Sequence, residues 1–558
     1  MIRDGIDGLA DATHNVCVIG AGPVGISFAL ELARLGRRVL LLESGGDGPD
    51  EAAQALSDAH IADPARHDAM RIAVARRLGG TSNLWGGRCL PYDSIDFEPR
   101  EVVGGGLWPI DLDDLRPHYG RATTYACAGA PVFTTDELPG VAGPFSTAHL
   151  ERWSARRKLQ EPHRAALRTN ALIDVRLHAT VTSLGWEGGR VCSLELADRA
   201  GRRSSVPVRT LVLATGGLES TRLLLAEQRK RPALFGGADG PLGRHYMGHV
   251  IGEIADVTFA DEATDRAFDF HIDAHGSYVR RRFTPAADFL RRQGLLNCAF
   301  WPIVPPMADP AHRDGFLSAI ALALSFDALG SRLIPEAIRR RHIPADMARG
   351  PHVANILRDL PGAARDVARL LRRRYLASVP APAFYKRNAA RRYGLAYHSE
   401  QSPCAESRVR LAPDHDALGL PRLAIDLRFS RGDAERIVRL HDHLGQFLEG
   451  TGLGRLAFRH APEARTDAVL AQASHGTHQI GTARMGATST QGVVDRDLRC
   501  FGTGNLHVLS SAVLPTSGQA NPTLTVMALG MRLAERLNRP GPVPAVGATA
   551  LESALTTS

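Results

Sequence analysis

Apolar and polar positions repeat with different periods along the chain. Near the N-terminus, the apolar run NVCVIG (15–20) reads as a short buried strand. GPVGISFALELARLG (22–36) follows with apolar residues three and four apart, which predicts a helix, and RRVLLLESGG (37–46) returns to a buried strand ending in an acid. The glycine-dense stretch RLGGTSNLWGGRCLPYDSIDFEPR (77–100) predicts a shaped loop. Residues 171–197 alternate like strands of a hairpin or meander, and RTLVLATGGLESTRLLLAEQ (209–228) repeats the strand, glycine turn and helix pattern. Residues from about 251 to 465 differ in composition, with strand-like pieces such as GSYVRRRF (276–283) and two Arg-rich helical stretches. From about Ser474 to Leu537 the chain regains Gly/Pro punctuation and ends in an amphipathic helix, and the tail after Pro540 is expected to be loose.

A chain of 558 residues exceeds what one core supports, so more than one domain is expected. The net charge of +8 rests on arginine, because lysine occurs only at Lys158, Lys230 and Lys386. No basic cluster is interleaved with aromatics, which argues against nucleic-acid binding. The arginine-rich stretches PEAIRRRHIP (335–344) and AARDVARLLRRRYLASVP (363–380) allow two readings, a basic face for an anionic membrane or partner, or a solvated face whose arginines cover apolar neighbours. The seven cysteines are dispersed without ligand spacing, so neither a metal site nor a disulfide framework is expected. The first residues lack the basic and apolar regions of a secretory signal and no apolar run reaches a membrane span, which makes the cytoplasm the expected location.

Gly20-Ala21-Gly22-Pro23-Val24-Gly25 is a G-x-G-x-x-G between strand and helix. Its glycines permit the tight turn, the approach of a pyrophosphate and close helix–strand packing, while the helix N-terminus favours phosphate. Glu43, 23 positions after Gly20, is placed to bond the ribose hydroxyls of an adenosine and would repel a 2′-phosphate. The motif alone leaves FAD and NAD open. The second glycine turn, Ala214-Thr215-Gly216-Gly217, is either another ligand approach or an ordinary turn. In the C-terminal section His478 lies in the glycine-punctuated HQIGTARMG (478–486) and is a candidate base among 22 histidines. Pro522 suits the first turn of the last helix, and Asn521 before it reads as an N-cap or as a functional side chain.

Taken together, the dinucleotide motif, GGTSNLWGG (79–87), ATGGLESTRLLL (214–225) and HQIGTARMG through PTSGQANPTLT resemble the glucose–methanol–choline (GMC) family of flavoproteins, and LGRHYMGHV (242–250) and EQSPCAESRVRL (400–411) look like further family segments. The resemblance implies an α/β fold: a Rossmann-type FAD-binding domain, GMC/p-hydroxybenzoate-hydroxylase-like, with a discontinuous α+β substrate-binding domain. FAD-binding parts are expected at 1–110 (flavin loop 78–99) and 166–250, a substrate-side connecting segment at 111–165, a substrate domain at 251–470 and a catalytic FAD segment at 471–540, before the tail 541–558. It implies that His478 accepts the proton of an alcohol while hydride passes to flavin N5, and that Asn521 binds the same oxygen. It also implies cofactor contacts from Gly20, Gly22, Pro23, Val24, Gly25, Glu43, Ser44, Gly80, Thr81, Ser82, Asn83, Gly86, Gly87, Val181, Ala214, Thr215, Gly216, Ser511, Asn521, Pro522 and Thr523.

Leu84 stands where some members attach flavin covalently through histidine, so non-covalent FAD is expected. Ser510-Ser511-Ala512 replaces a common Asp-Ala-Ser, which puts the acid's flavin contact in doubt. The motif wording looks closest to bacterial members acting on sugars, glycosides or aminocyclitols, with a small-molecule alcohol as substrate. A hydroxynitrile-lyase-like reaction with the same histidine and a non-catalytic flavoprotein subunit are the rival readings. The residues do not distinguish oxygen, a quinone or a carrier protein as electron acceptor.

Overall fold

In the computed structural model, which describes residues 1–9, 14–105, 108–334 and 336–539, the apolar runs of the sequence meet in one buried sheet. Its six parallel strands lie in the order Ile2–Asp4, Ile173–Leu177, Val39–Leu42, Val16–Ile19, Leu211–Leu213 and Leu506–Val508. Val16–Ile19, Val39–Leu42 and Leu211–Leu213 are buried at every position, as strands covered on both faces must be. Two helices, Pro23–Arg34 and Pro522–Asn538, pack against each other beside this sheet although they are far apart in sequence.

The turn from Val16–Ile19 into Pro23–Arg34 is tight enough to require glycine. Gly20 adopts φ +98°, and a Cβ on Gly25 would lie 1.9 Å from the Gly20 carbonyl oxygen. The segment 171–197 divides differently from a simple meander. Ile173–Leu177 enters the parallel sheet, whereas Thr180–Glu187 and Arg190–Ala197 form an antiparallel hairpin extended by Arg203–Pro207.

A second core surrounds an antiparallel sheet ordered Cys298–Ile303, Arg392–Ser399, Val250–Phe259 and Gly454–Phe458, with helix Arg431–Gly450 packed alongside. The expected boundaries 251–470 do not coincide with this unit. Strands Arg408–His415 and Pro421–Asp426 leave it and pair with each other, the second also with Ala59–Ile61, because Val409, Leu423, Ile425 and Leu427 bury their side chains with Met70, Leu218 and Tyr246. Leu150–Trp153, from the connecting segment, joins Arg88–Cys89 and Tyr278–Arg281 in another small sheet. The arginine-rich stretches fall in a helical insertion between Ile303 and Arg392. The expected tail after Pro540 lies outside the described residues.

Gly25→Ala is expected to destabilise the fold by more than the ~1–3 kcal/mol of ordinary overpacking, since the added methyl meets backbone that cannot rotate away. Thermal unfolding checks this, and a wild-type Tm in that variant would contradict the packing described.

Candidate active site

A long cleft runs over the C-terminal ends of the parallel strands, where open α/β sheets bind ligands. It is lined by Gly20, Gly22, Pro23, Val24, Glu43, Ser44, Val181, Ala214, Thr215, Gly216, His478, Ser510, Ser511, Pro522 and Thr523. Glu43 is held by backbone amides. Its Oε2 accepts from the Ala21 amide and its Oε1 from the Gly45 amide, both at 2.9 Å. Burial raises its pKa, and these amides act in the opposite direction. Each oxygen retains a lone pair for a hydroxyl donor.

The glycine turn at Gly216–Gly217 serves the reacting end as well as lining the cleft. A Cβ on Gly217 would lie 2.2 Å from the Gln479 carbonyl oxygen, and the Leu218 amide donates to Gln479 Oε1 at 3.1 Å. The helix Gly217–Lys230 therefore abuts the residue beside His478. Ser511 Oγ donates to the Gln479 carbonyl at 2.6 Å, which fixes the same residue.

His478 belongs to a cluster of four histidines. Met247 and Ile480 exchange backbone hydrogen bonds at 2.9 and 3.0 Å, and two positions further along this antiparallel register His249 faces His478. The ring atoms form a directed chain. Asn521 Nδ2 is 3.0 Å from His478 Nε2, His478 Nδ1 is 2.9 Å from His249 Nδ1, and His249 Nε2 is 3.2 Å from the Ser517 carbonyl oxygen.

An amide nitrogen can only donate and a carbonyl oxygen can only accept. Neutral His249 therefore carries its proton on Nε2 and accepts at Nδ1, neutral His478 carries its proton on Nδ1, and His478 Nε2 presents a lone pair towards Asn521. His398 stacks on His249 at 4.2 Å between centroids and donates from Nδ1 to the Gln519 carbonyl at 2.5 Å. His475 accepts the His478 amide at its Nδ1, 3.2 Å away.

Burial, reinforced by Arg88, lowers the His478 pKa to about 3. Burial likewise holds His249 and His398 well below the ordinary imidazole range, with neighbouring histidines and Arg88 adding to the effect. Arg88 is itself buried, paired with Glu151 and set 4.4 Å from the Trp301 ring. The four rings offer nitrogens within 4.8 Å of one another, a spacing that a metal ion can use. In the arrangement present, His249 Nδ1 and His478 Nδ1 share a proton between them.

Asn521 occupies the N-cap position of Pro522–Asn538 but its side chain makes no capping bond. It points to His478 instead, with Oδ1 buried and unpartnered. Part of the expected flavin loop is absent from the cleft lining. Gly80 and Thr81 line it, whereas Ser82 Oγ donates to the Gly79 carbonyl and Asn83 Nδ2 to the carbonyls of Leu78 and Gly80. These two side chains hold the loop's 3₁₀ turn. Gly86 lines a separate apolar cavity, and Gly87 adopts φ +80° against Ser154 and Arg157. Gly25 lies beneath Gly20 rather than at the cleft wall.

Sequence reasoning passed over His249, His398 and Arg88, and left the contact at Ser510 in doubt. His249 lay in the segment LGRHYMGHV, but only its register opposite His478 reveals a role.

This fold and site define a dinucleotide-binding oxidoreductase. Residues 15–285 match the family model described as FAD dependent oxidoreductase, and residues 403–530 match that of GMC oxidoreductase. The chain is 25% identical to paromamine 6'-oxidase of Streptomyces fradiae, over 96% of this chain and 93% of that protein. It is also 25% identical to 6'''-hydroxyparomomycin C oxidase of Streptomyces lividus, over 95% and 92%. A fungal aryl-alcohol oxidase shares its fold with TM-score 0.51 at 16% identity, covering 94% of this chain and 98% of that one. Residues 403–530 thus carry the likeness to GMC oxidoreductases and residues 15–285 that to FAD-dependent oxidoreductases, and the chain is an FAD-dependent enzyme of alcohol oxidation.

The cleft fits FAD. The face of Gly22 that a side chain would fill is open as far as the Gly80 Cα at 3.9 Å, Glu43 keeps acceptor capacity for a ribose, and Ser510 Oγ is buried in the lining without a partner.

Two outcomes follow from the cluster. His249→Phe is expected to lower kcat about 10–100-fold, the usual effect of removing a group that orients a functional histidine. His249→Asn, which restores an acceptor, should recover part of the loss in steady-state assays, and equal losses in both variants would contradict the tautomer assignment. The second concerns acid. Burial lowers His67, His441 and His507 to about 4 and His478 to about 3. An unfolded imidazole titrates near ~6.5, so below that pH the unfolded chain takes up protons that the folded chain refuses. Stability should fall as pH drops from ~6.5 towards 4, and a constant Tm across that window would contradict this.

Proposed function

We propose that the protein oxidises a hydroxyl of a polar substrate, of the kind carried by sugars, glycosides and aminocyclitols, to a carbonyl, with His478 taking the hydroxyl proton. The observation that carries this reading is the directed hydrogen-bond chain that leaves a lone pair on His478 Nε2 beside Asn521. The substrate hydroxyl replaces the present contact between the two side chains: its O–H donates to Nε2 and its oxygen accepts from Asn521 Nδ2. Bound FAD supplies the acceptor for the hydride that leaves the carbinol carbon.

Removing the O–H proton as the hydride departs avoids forming a protonated carbonyl, and general-base assistance of this type contributes 10²–10⁴-fold, about 3–5 kcal/mol. The depressed pKa keeps the ring neutral and its lone pair free, while lowering its basicity. The positive end of helix Pro522–Asn538 points at the same region and favours negative charge there.

The substrate class draws support from the two Streptomyces relatives, whose names make them oxidases of paromamine and of 6'''-hydroxyparomomycin C and whose likeness runs through nearly the whole chain. Leu84 offers no nitrogen for a covalent bond, which supports dissociable FAD.

His478→Ala is expected to retain FAD with an unchanged absorbance spectrum and to lose at least about 10²-fold in the rate of flavin reduction under anaerobic mixing with aminoglycosides and sugars. Wild-type rates in that variant would remove His478 from the reaction. Asn521→Ala should slow reduction less, with little change in Tm because the side chain does not cap the helix. Turnover of a substrate by the wild type without any bleaching of the flavin would favour lyase chemistry instead.

A further inference from the structure

Beyond the cleft, the helical insertion between Ile303 and Arg392 has a surface unlike the rest of the molecule. Residues 326–376 contain eleven Arg against five Asp or Glu. Most of the large apolar side chains that the described residues leave exposed lie in the same stretch, among them Leu357 at 68% and Leu376 at 81% exposure. On helix Leu360–Leu371 and the π turn Arg372–Leu376 that continues it, the exposed positions Leu360, Ala364, Ala368, Leu371 and Tyr375 recur three or four apart, which aligns them in one stripe. Arg365, Arg369, Arg372 and Arg373 are exposed beside that stripe.

The only acid between Leu360 and Leu376 is Asp366, which is turned towards Lys386 at 3.2 Å and Arg369 at 3.0 Å. Beneath the stripe lies an apolar cavity of about 370 Å³, and Leu371, Arg374 and Tyr375 belong both to its wall and to the helix edge. Apolar surface therefore continues from the outer stripe into the insertion.

We propose that this insertion is a docking face for an anionic lipid bilayer. An interfacial helix needs an apolar stripe that enters the headgroup region and a flank of arginines that meets the lipid phosphates. Tyr375, with an apolar ring and a polar hydroxyl, suits that depth. Cationic groups spaced along the stripe, with the single acid already neutralised, complement a uniformly negative plane rather than the mixed charges of a protein partner. Among the described residues no single helix is long and apolar enough to cross a membrane.

The test uses the full chain with FAD bound and sedimentation with vesicles of phosphatidylcholine, with and without phosphatidylglycerol. Wild type is expected to sediment with the phosphatidylglycerol vesicles, to stay in solution with phosphatidylcholine alone, and to be released by salt. Arg369→Glu/Arg372→Glu/Arg373→Glu and, separately, Leu360→Glu/Leu376→Glu should each weaken binding at least about tenfold. Both variants should keep wild-type activity in solution, which shows that they fold. Failure of wild type to bind the anionic vesicles, or equal binding by wild type and variants, would overturn the proposal. A dimer seen by light scattering that Leu360→Glu/Leu376→Glu abolishes, in protein indifferent to vesicles, would assign the face to a second copy of the chain and also overturn it.

Discussion

The site depends on the contact between His478 and His249. The two rings come from extended segments that meet at the Met247–Ile480 bridge, and the proton held between them decides which nitrogen of His478 is free. The same pair organises the loop that follows. His249 donates to the Ser517 carbonyl and His398 to the Gln519 carbonyl, so two stacked rings clamp the short segment that delivers Asn521. Gln519 is held in turn by Arg282 at 2.7 Å, and the Gln401 amide donates to Ser517 Oγ at 2.8 Å. Removing one ring would alter both the proton arrangement and the position of the amide opposite it.

Burial supplies the electrostatic half of this arrangement. A histidine in water is partly charged near neutrality, and a second proton on His249, at Nδ1, would oppose the one that His478 Nδ1 donates to it. Exclusion of water, together with the buried Arg88 guanidinium, keeps the rings neutral. Arg88 is held in place by the Glu151 carboxylate, which Arg280 also contacts. The group that suppresses protonation of the base is thus anchored by an ion pair from the small sheet of Arg88–Cys89, Leu150–Trp153 and Tyr278–Arg281.

The parts of the fold legible in the sequence were those fixed by local rules. The strand, glycine turn and helix at 15–36 and again at 209–228 follow from apolar period and turn chemistry, and the structure has both. His478 and Asn521 could be named by resemblance, but the choice between capping and pairing for Asn521 depended on where a residue 43 positions earlier would come to lie. His249, 229 positions from His478, had no local signature at all. Ser82 and Asn83 show the opposite case. Their motif pointed to the cofactor, while their side chains donate to backbone carbonyls of the tight 3₁₀ turn and the residues before it. The departure of Arg408–His415 and Pro421–Asp426 from the second core was likewise hidden, because an alternating strand reads the same whichever core receives it.

The parallel sheet has one consequence for how the chain is made. Its edge strand Leu506–Val508 pairs with Leu211–Leu213, and helix Pro522–Asn538 closes against the helix at Pro23–Arg34. A nascent polypeptide emerging from the ribosome would expose the apolar flank of Leu211–Leu213 until almost three hundred further residues had been translated. The sheet therefore cannot be completed by N-terminal residues alone during synthesis.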